Sequence, residues 1–322
     1  MSPPELIRFA AVRGHERVRD FLRAAVTQDR LPHALLFVGP DGVGKRCLAL
    51  ALVAWLQCEQ GGDDACGTCA SCRRIAAGSH SDVQLVTVAT GKKEIGIDRI
   101  REVKRFMQLR SVGGRLKVAL IDDAHVLTAA AQNALLKVLE EPPARSFLIL
   151  ISSHPDALLT TVRSRCQRLQ FGTLPTDVVR DLLTASTDVA AAEADELAEL
   201  SEGSIGRAQK LLACLSGQSR DHWRQRLAGM RDARYVQLAQ AAQELNAPES
   251  QVVMKLEMIL SELRDAAVQC VRGDSAAPAR RAELAAILKR ADAVDAACHR
   301  IQRSNPNRQL LLEALLLRLA GT

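Results

Sequence analysis

The run Gly39-Pro40-Asp41-Gly42-Val43-Gly44-Lys45-Arg46 constrains this chain more than any other. It follows an apolar segment, Ala34-Leu35-Leu36-Phe37-Val38, and leads into helical spacing from Arg46 to Cys58. A strand that turns through glycines into a helix aims backbone N–H groups and the positive end of the helix dipole at one point. That point suits a phosphate, and Lys45 is placed to reach the terminal phosphates of a nucleotide. Gly39, Gly42, Gly44 and Lys45 are therefore nucleotide-binding candidates in a Walker A loop. A chance glycine-rich turn is the competing reading, and the strand before and helix after weigh against it.

The loop departs from its pattern at Arg46, where a Ser or Thr hydroxyl normally meets Mg²⁺. Arginine has no lone pair for a metal and adds a charge that competes with one. Downstream, Val118-Ala119-Leu120-Ile121-Asp122-Asp123 is an apolar strand ending in acid, the Walker B pattern, with Asp122 in the magnesium-facing place. Asp123 stands where an active ATPase usually carries Glu. It is one methylene shorter, and misplacing a base by that much costs on the order of a hundredfold in rate. A surface acidic turn is the alternative, discounted by the pairing with the glycine loop. Nucleotide binding through Lys45 remains open at this degenerate site, and magnesium-dependent hydrolysis is expected to be poor.

Around these motifs, apolar runs at Val83–Val88, Val118–Ile121 and Phe147–Ile151 alternate with helical segments at Ile97–Leu109 and Ala129–Glu140. Asp98 lies near the start of the first helix; Thr128 is placed to cap the second, and Pro142-Pro143 stops it. Such alternation predicts a parallel sheet covered by helices on both faces. After Phe171-Gly172-Thr173-Leu174-Pro175 no further strand is expected. Three short helices are, at Thr176–Ala185, Val189–Leu200 and Ser204–Leu215. A break at Ser216-Gly217-Gln218-Ser219 precedes longer helices at Ser250–Val271, Arg280–Arg303 and Arg308–Ala320, with a loop at Gly273–Pro278. The expected organisation is an α/β P-loop domain at 1–172, a small helical lid at 173–216 and an all-α domain at 217–322.

The formal net charge is +6, from 43 basic and 37 acidic residues. That excess fits work near nucleic acid and equally fits an ordinary solvated surface. The charged N-terminal stretch lacks the apolar core of a signal peptide, and no run is long enough to span a bilayer, so a soluble cytoplasmic protein is expected. In that compartment nine cysteines read as thiols or metal ligands rather than disulfides. Cys58, Cys66, Cys69 and Cys72 have the form C-x7-C-x2-C-x2-C, and Gly61-Gly62-Asp63-Asp64 supplies a loop between them. Four thiolates suit tetrahedral Zn²⁺ and close its shell, which predicts a structural zinc module at 58–72. Unrelated reduced cysteines are one alternative. A nucleic-acid-binding finger is another, weakened because Arg73 and Arg74 come with no aromatic residue and no helix-borne reading face. Cys47, Cys166, Cys214, Cys270 and Cys298 read as packing residues.

Other segments carry a resemblance. Asn133-Ala134-Leu135-Leu136-Lys137-Val138-Leu139-Glu140-Glu141-Pro142-Pro143 is similar to the helix and stop of bacterial clamp-loader subunits of the AAA+ family. Leu31-Pro32-His33-Ala34, Ser164-Arg165-Cys166, Gly203-Ser204-Ile205-Gly206-Arg207-Ala208, and Asn305 and Asn307 followed by Leu310-Leu311-Leu312-Glu313 resemble the same family. The resemblance covers nearly the whole chain. It implies an AAA+ P-loop domain, a lid and a C-terminal collar domain. It implies that Arg165 is an arginine finger reaching a neighbour's ATP, that Arg207 is a second sensor arginine on the lid, and that Ser152 or Ser153 marks the first sensor. Surface arginines are the alternatives for Arg165 and Arg207. The implied partners are motor subunits (tau/gamma) and the delta subunit, with the sliding clamp (beta) and primed DNA reached through the complex, and no membrane. Within that resemblance, the altered residues Arg46 and Asp123 imply a member of the clamp-loader family that does not hydrolyse ATP itself. An active motor ATPase and a zinc-containing DNA-binding protein remain the competing functions.

Overall fold

The structure, a computed structural model, describes residues 8–113, 115–187, 189–215, 235–246, 249–272, 278–303 and 307–321. The expected break at 216–219, residues 273–277 of the expected loop and Asn305 lie outside the described residues. Pro278 was expected in that loop; instead it heads the helix Pro278–Arg303, where its fixed φ and missing N–H suit a first turn.

Five parallel strands, β1 (Ala34–Val38), β2 (Val83–Val86), β3 (Lys117–Ile121), β4 (Ser146–Ser152) and β5 (Gln167–Gln170), form one sheet in the order β2-β3-β4-β1-β5. Period-two alternation sorts their side chains. Leu35, Phe37, Val118, Leu120, Phe147, Ile149 and Ile151 face a core closed by helices α1 (Glu16–Thr27) and α2 (Lys45–Gln57). Leu36, Val38, Ala119, Ile121, Leu148 and Leu150 face the other, closed by α4 (Ile97–Gln108) and α5 (Ala129–Glu140). β1, β3 and β4 are buried throughout, because helices cover both faces and strands lie on both sides. This is the α/β architecture the apolar runs predicted. Thr128 caps α5 as expected, its side chain accepting from the Ala131 N–H at 3.2 Å.

Several elements escaped the sequence reading. β5 buries only Leu169 of its four residues and pairs on one side alone, so it presents no apolar run. α1, the four-residue α6 (Thr160–Arg163) and the helix Tyr235–Leu245 were also unexpected. So was α3 (Ala70–Ala76), which corrects the expectation that the cysteine segment lacks a helix-borne face: Arg73 and Arg74 lie exposed on it. No motif announced the buried pair of Asp82 and Lys117, 2.9 Å apart at the N-terminal ends of β2 and β3. Asp82 also accepts from the Val112 N–H at 3.0 Å, the Gly113 N–H at 2.8 Å and Ser111 Oγ at 2.8 Å. Burial alone would raise its carboxyl; the Gly113 amide, Lys117, Val112 and Ser111 outweigh that and hold it well below the usual range.

After the sheet come α7 (Thr176–Ser186), α8 (Ala191–Leu200) and α9 (Ile205–Leu215). The chain divides into two compact units, Met1–Ala208 and Gln209–Thr322. In the second, Glu249–Arg272 packs along Pro278–Arg303, and Tyr235–Leu245 packs on Arg308–Gly321, burying Leu245, Val252, Ile259, Val294, Leu312 and Leu316. Asn307 Oδ1 accepts from the Leu310 N–H and caps the last helix. Among the described residues no helix is long and apolar enough to cross a membrane.

Candidate functional site

The glycine loop lies where β1 ends and α2 begins, beside the C-terminal ends of β3 and β4. Gly42 and Gly44 hold φ of 72° and 100°, which glycine adopts without a Cβ penalty. The loop is gripped from the start of α9. The Gly206 N–H donates to Gly42 O at 2.9 Å, and Ser204 Oγ donates to Asp41 O at 2.7 Å. A Cβ on Gly42 would collide with Ser204 Oγ and lie 2.9 Å from Gly206 Cα. On the other side, His15 Nε2 lies 2.7 Å from Val43 O, and its ring stands edge-on to Phe171. Burial lowers the His15 pKa. The clasp is not legible in the sequence: the Gly203–Ala208 segment carries a family resemblance, but nothing in it tells that it touches the loop.

Lys45 is 5% exposed. Its Nζ donates to Gly39 O at 2.7 Å and Pro40 O at 2.6 Å, with Asp41 3.8 Å away. Burial pulls its pKa down, against the pull of the nearby carboxylates. Arg46 turns to the end of β3, where its Nη1 donates to Asp122 Oδ2 at 3.3 Å. The other oxygen, Oδ1, accepts the Asp123 N–H at 3.1 Å. Burial and the neighbouring Asp123 raise the Asp122 pKa, while Arg46 opposes them. Asp123 itself is exposed, in left-handed backbone at φ 50°. These residues do not suit a magnesium ion: no hydroxyl follows Lys45, and a guanidinium sits on the carboxylate that would face the metal.

Ser152, the last residue of β4, is buried, and its carbonyl accepts the Gly39 N–H at 3.3 Å; Ser153 pairs with His154 Nδ1 at 3.0 Å. Arg207, in the first turn of α9, donates to Glu202 Oε2 at 3.2 Å. Arg165 follows α6. Its Nη2 lies 2.8 Å from Glu140 Oε1 at the end of α5, and its Nη1 donates to Thr161 O at 3.0 Å. Cys166 beside it is buried, which pushes its thiol up to about 12. The Glu140 tether was another unforeseen partner. Glu140 stood inside a recognised segment, without a signal of what it holds.

The four cysteines converge. Cys58 ends α2, Cys69 caps α3 and Cys72 lies within it, and all four Sγ atoms fall within 4.8 Å of one another. Backbone N–H groups aim at the sulfurs: Cys66 to Cys58 Sγ at 3.4 Å, Thr68 and Cys69 to Cys66 Sγ at 3.4 and 3.2 Å, and Cys72 to Cys69 Sγ at 3.4 Å. Such donors stabilise thiolates. The Thr68 hydroxyl, then the amides of Cys69 and Thr68, bring Cys66 down to about 6, while burial pushes the Cys72 thiol up. This donor set fits a tetrahedral metal ion of zinc's kind. The module is anchored by Asp64, whose carboxylate accepts from the Phe9 and Ala10 N–H groups, and by Trp55 Nε1 donating to Gly62 O. Ser71 Oγ bonds His80 Nε2 at 2.9 Å, linking α3 toward Asp82.

A family described as "DNA polymerase III, delta subunit" matches residues 14–175. The DNA polymerase III subunit delta' of Escherichia coli is 36% identical over 208 residues, covering 64% of this chain and 62% of that protein. The delta' subunit of Yersinia pestis is 43% identical over 135 residues, 42% of this chain and 40% of that one. The tau subunit of Bacillus subtilis is 33% identical over 211 residues, 64% of this chain and 37% of its own length. The matches thus span less than two thirds of each relative. A solved gamma subunit-related protein of Thermotoga maritima covers 94% of this chain and 98% of its own at 17% identity, with a TM-score of 0.49.

Proposed function

Because the chain belongs to the DNA polymerase III delta-subunit family, we propose that it is the delta-prime subunit of a clamp loader, a AAA+ subunit that completes the ring without turning over ATP itself. The observation that carries this reading is the Arg46–Asp122 pair inside an otherwise formed glycine loop. A motor subunit needs a magnesium ligand where this chain places a guanidinium. The similarity to tau supports the motor alternative; steady-state ATP hydrolysis by the isolated chain separates the two, and turnover at the rate of an active AAA+ motor would promote the alternative.

In this reading residues 1–172 form the P-loop domain, 173–216 the lid and 217–322 the collar that joins motor (tau/gamma) and delta subunits. The sliding clamp and primed DNA are met through the complex, in the cytoplasm at the replisome. Cys58, Cys66, Cys69 and Cys72 hold a structural Zn²⁺ that fixes the loop between α2 and α3 and leaves no coordination position for chemistry. Arg207 would sense nucleotide from the lid, and Ser152 or Ser153 would stand at the first-sensor position.

Arg165 serves a neighbouring subunit. Its guanidinium is permanently charged and forked, so it can meet two oxygens of the neighbour's γ-phosphate and stabilise charge developing there. Glu140 and Thr161 O hold the side chain exposed at the end of α6. Arg165→Ala in the reconstituted complex, with clamp and primed DNA, should lower ATP hydrolysis at the served site by roughly a thousandfold and abolish clamp loading. Ring assembly should persist. Lys should rescue poorly, since a point charge lacks the fork. Equal hydrolysis and loading by wild type and Arg165→Ala would reduce Arg165 to a surface residue.

A further inference from the structure

We propose that the Arg46 guanidinium takes the place of the divalent cation at this glycine loop, so that the site takes a nucleoside di- or triphosphate as the free anion and discriminates against its Mg²⁺ complex. This rests on reading the loop as a nucleotide site, and is independent of the arginine-finger role.

The case is built on Asp122. A P-loop carboxylate of this kind earns its place by facing a metal that bridges the phosphates. Here both of its oxygens are already engaged, one by Arg46 Nη1 at 3.3 Å and one by the Asp123 N–H at 3.1 Å. Its side chain is only 14% exposed, so a hydrated metal has little access to what remains. Mg²⁺ also demands near-octahedral oxygen ligands and gives up its waters reluctantly. The residue after Lys45 offers no oxygen, and its fixed positive charge repels a second cation.

Arg46 supplies part of what the metal would. A guanidinium carries five N–H donors in a plane, of which Asp122 uses one. The side chain is 49% exposed, so the remaining donors are open to an incoming phosphate. Lys45, at the start of α2, adds a second charge beneath the loop, but its Nζ is held by Gly39 O and Pro40 O and must leave them to touch a phosphate. Arg46 is thus the cation that meets a polyphosphate first, without a metal. Because Mg²⁺ and this site then compete for the same anion, linkage requires Mg²⁺ to weaken nucleotide binding, the reverse of a working P-loop.

The probe is a fluorescent, non-hydrolysable ATP analogue, titrated into the full chain in EDTA and again in excess Mg²⁺. Wild type should bind roughly tenfold more weakly with Mg²⁺ than with EDTA. Arg46→Thr, which restores a hydroxyl, should reverse the sign and bind roughly tenfold more tightly with Mg²⁺. Arg46→Lys should keep the wild-type sign, since the cation stays. Wild-type binding strengthened by Mg²⁺ would overturn the proposal, whatever the variants do. So would an Arg46→Thr protein with the wild-type sign, or a wild type that binds the analogue in neither buffer. Co-purification with the motor and delta subunits, measured on the same wild-type protein, reads the subunit assignment separately and does not depend on the sign of the magnesium effect.

Discussion

Helix α2 carries a different kind of site at each end. Its first residue, Lys45, closes the glycine loop, and the residue after its last turn, Cys58, is the first of four converging thiols. The two ends lie about 20 Å apart along the helix, from its residue count and the rise per residue. The N-terminal site is made largely of backbone. Its amides and glycine torsions survive when a side chain changes, so the cradle persists while Arg46 alters the chemistry. The C-terminal site is made of side chains, and removing any one thiol takes away one of the four donors that converge there. The contrast teaches that a site built on backbone can keep its shape when one side chain changes, whereas a site built on side chains loses part of its donor set with any one of them.

The largest effect should come from breaking the cysteine end. Metal analysis of reduced protein should find about one zinc per chain. Chelation, or Cys72→Ser, should lower stability by roughly 4 kcal/mol, read from urea unfolding. The glycine-loop end should be untouched in the folded fraction, so nucleotide binding per folded chain should stay at the wild-type value. Protein that contains no zinc and unfolds identically with and without chelator would erase the contrast.

The next effect tests the buried ion pair beside the cysteine end, where Ser71 holds His80 and the Asp82 N–H donates to His80 Nδ1 while the Asp82 carboxylate pairs with Lys117. Asp82→Asn leaves Lys117 buried without its charge partner and should cost about 3 kcal/mol at neutral pH. The folded pKa of Asp82 is depressed, so its contribution is fully present above its unfolded value near 4 and is lost as pH falls through the folded value. The gap between wild type and Asp82→Asn in urea unfolding should therefore narrow from pH 7 toward about pH 3. A gap that widened with acid would mean that the pair does not hold the charge in the folded state.

The smallest expected effect tests the backbone end. Gly42→Ala places a Cβ against Ser204 and Gly206 at a φ of 72°. It should cost about 2 kcal/mol in thermal or urea unfolding, from strain and overpacking together. If alanine proved neutral there, the clasp between the loop and α9 would be looser than the Gly206–Gly42 hydrogen bond implies.

Much of the α/β unit was legible because its signals are local. The runs at 34–38, 118–121 and 147–151 are too apolar to lie anywhere but between two helix layers, and their bounds in the structure differ by a residue at most. β5 was illegible for the opposite reason: an edge strand with one buried residue has no periodicity to read. The Cys-x2-Cys spacings likewise announced the convergence of Cys66, Cys69 and Cys72, since ligands two residues apart turn onto one centre without help from elsewhere, and Cys58 joins them across the intervening loop.

By itself, then, the sequence determined the elements and sites whose geometry is settled within a few residues: the buried strands, the glycine turn at the start of α2, the cap at Thr128 and the cysteine cluster. Only the tertiary structure decided the partners that stand far apart in the chain. Arg46 meets Asp122 across 76 positions, Ser204 meets Asp41 across 163, and Glu140 meets Arg165 between two helices. A charge on a sequence says that some partner is needed, but sheet order and helix docking choose which one, because hydrogen bonds and ion pairs act over a few ångströms and the chain must first bring the groups that close.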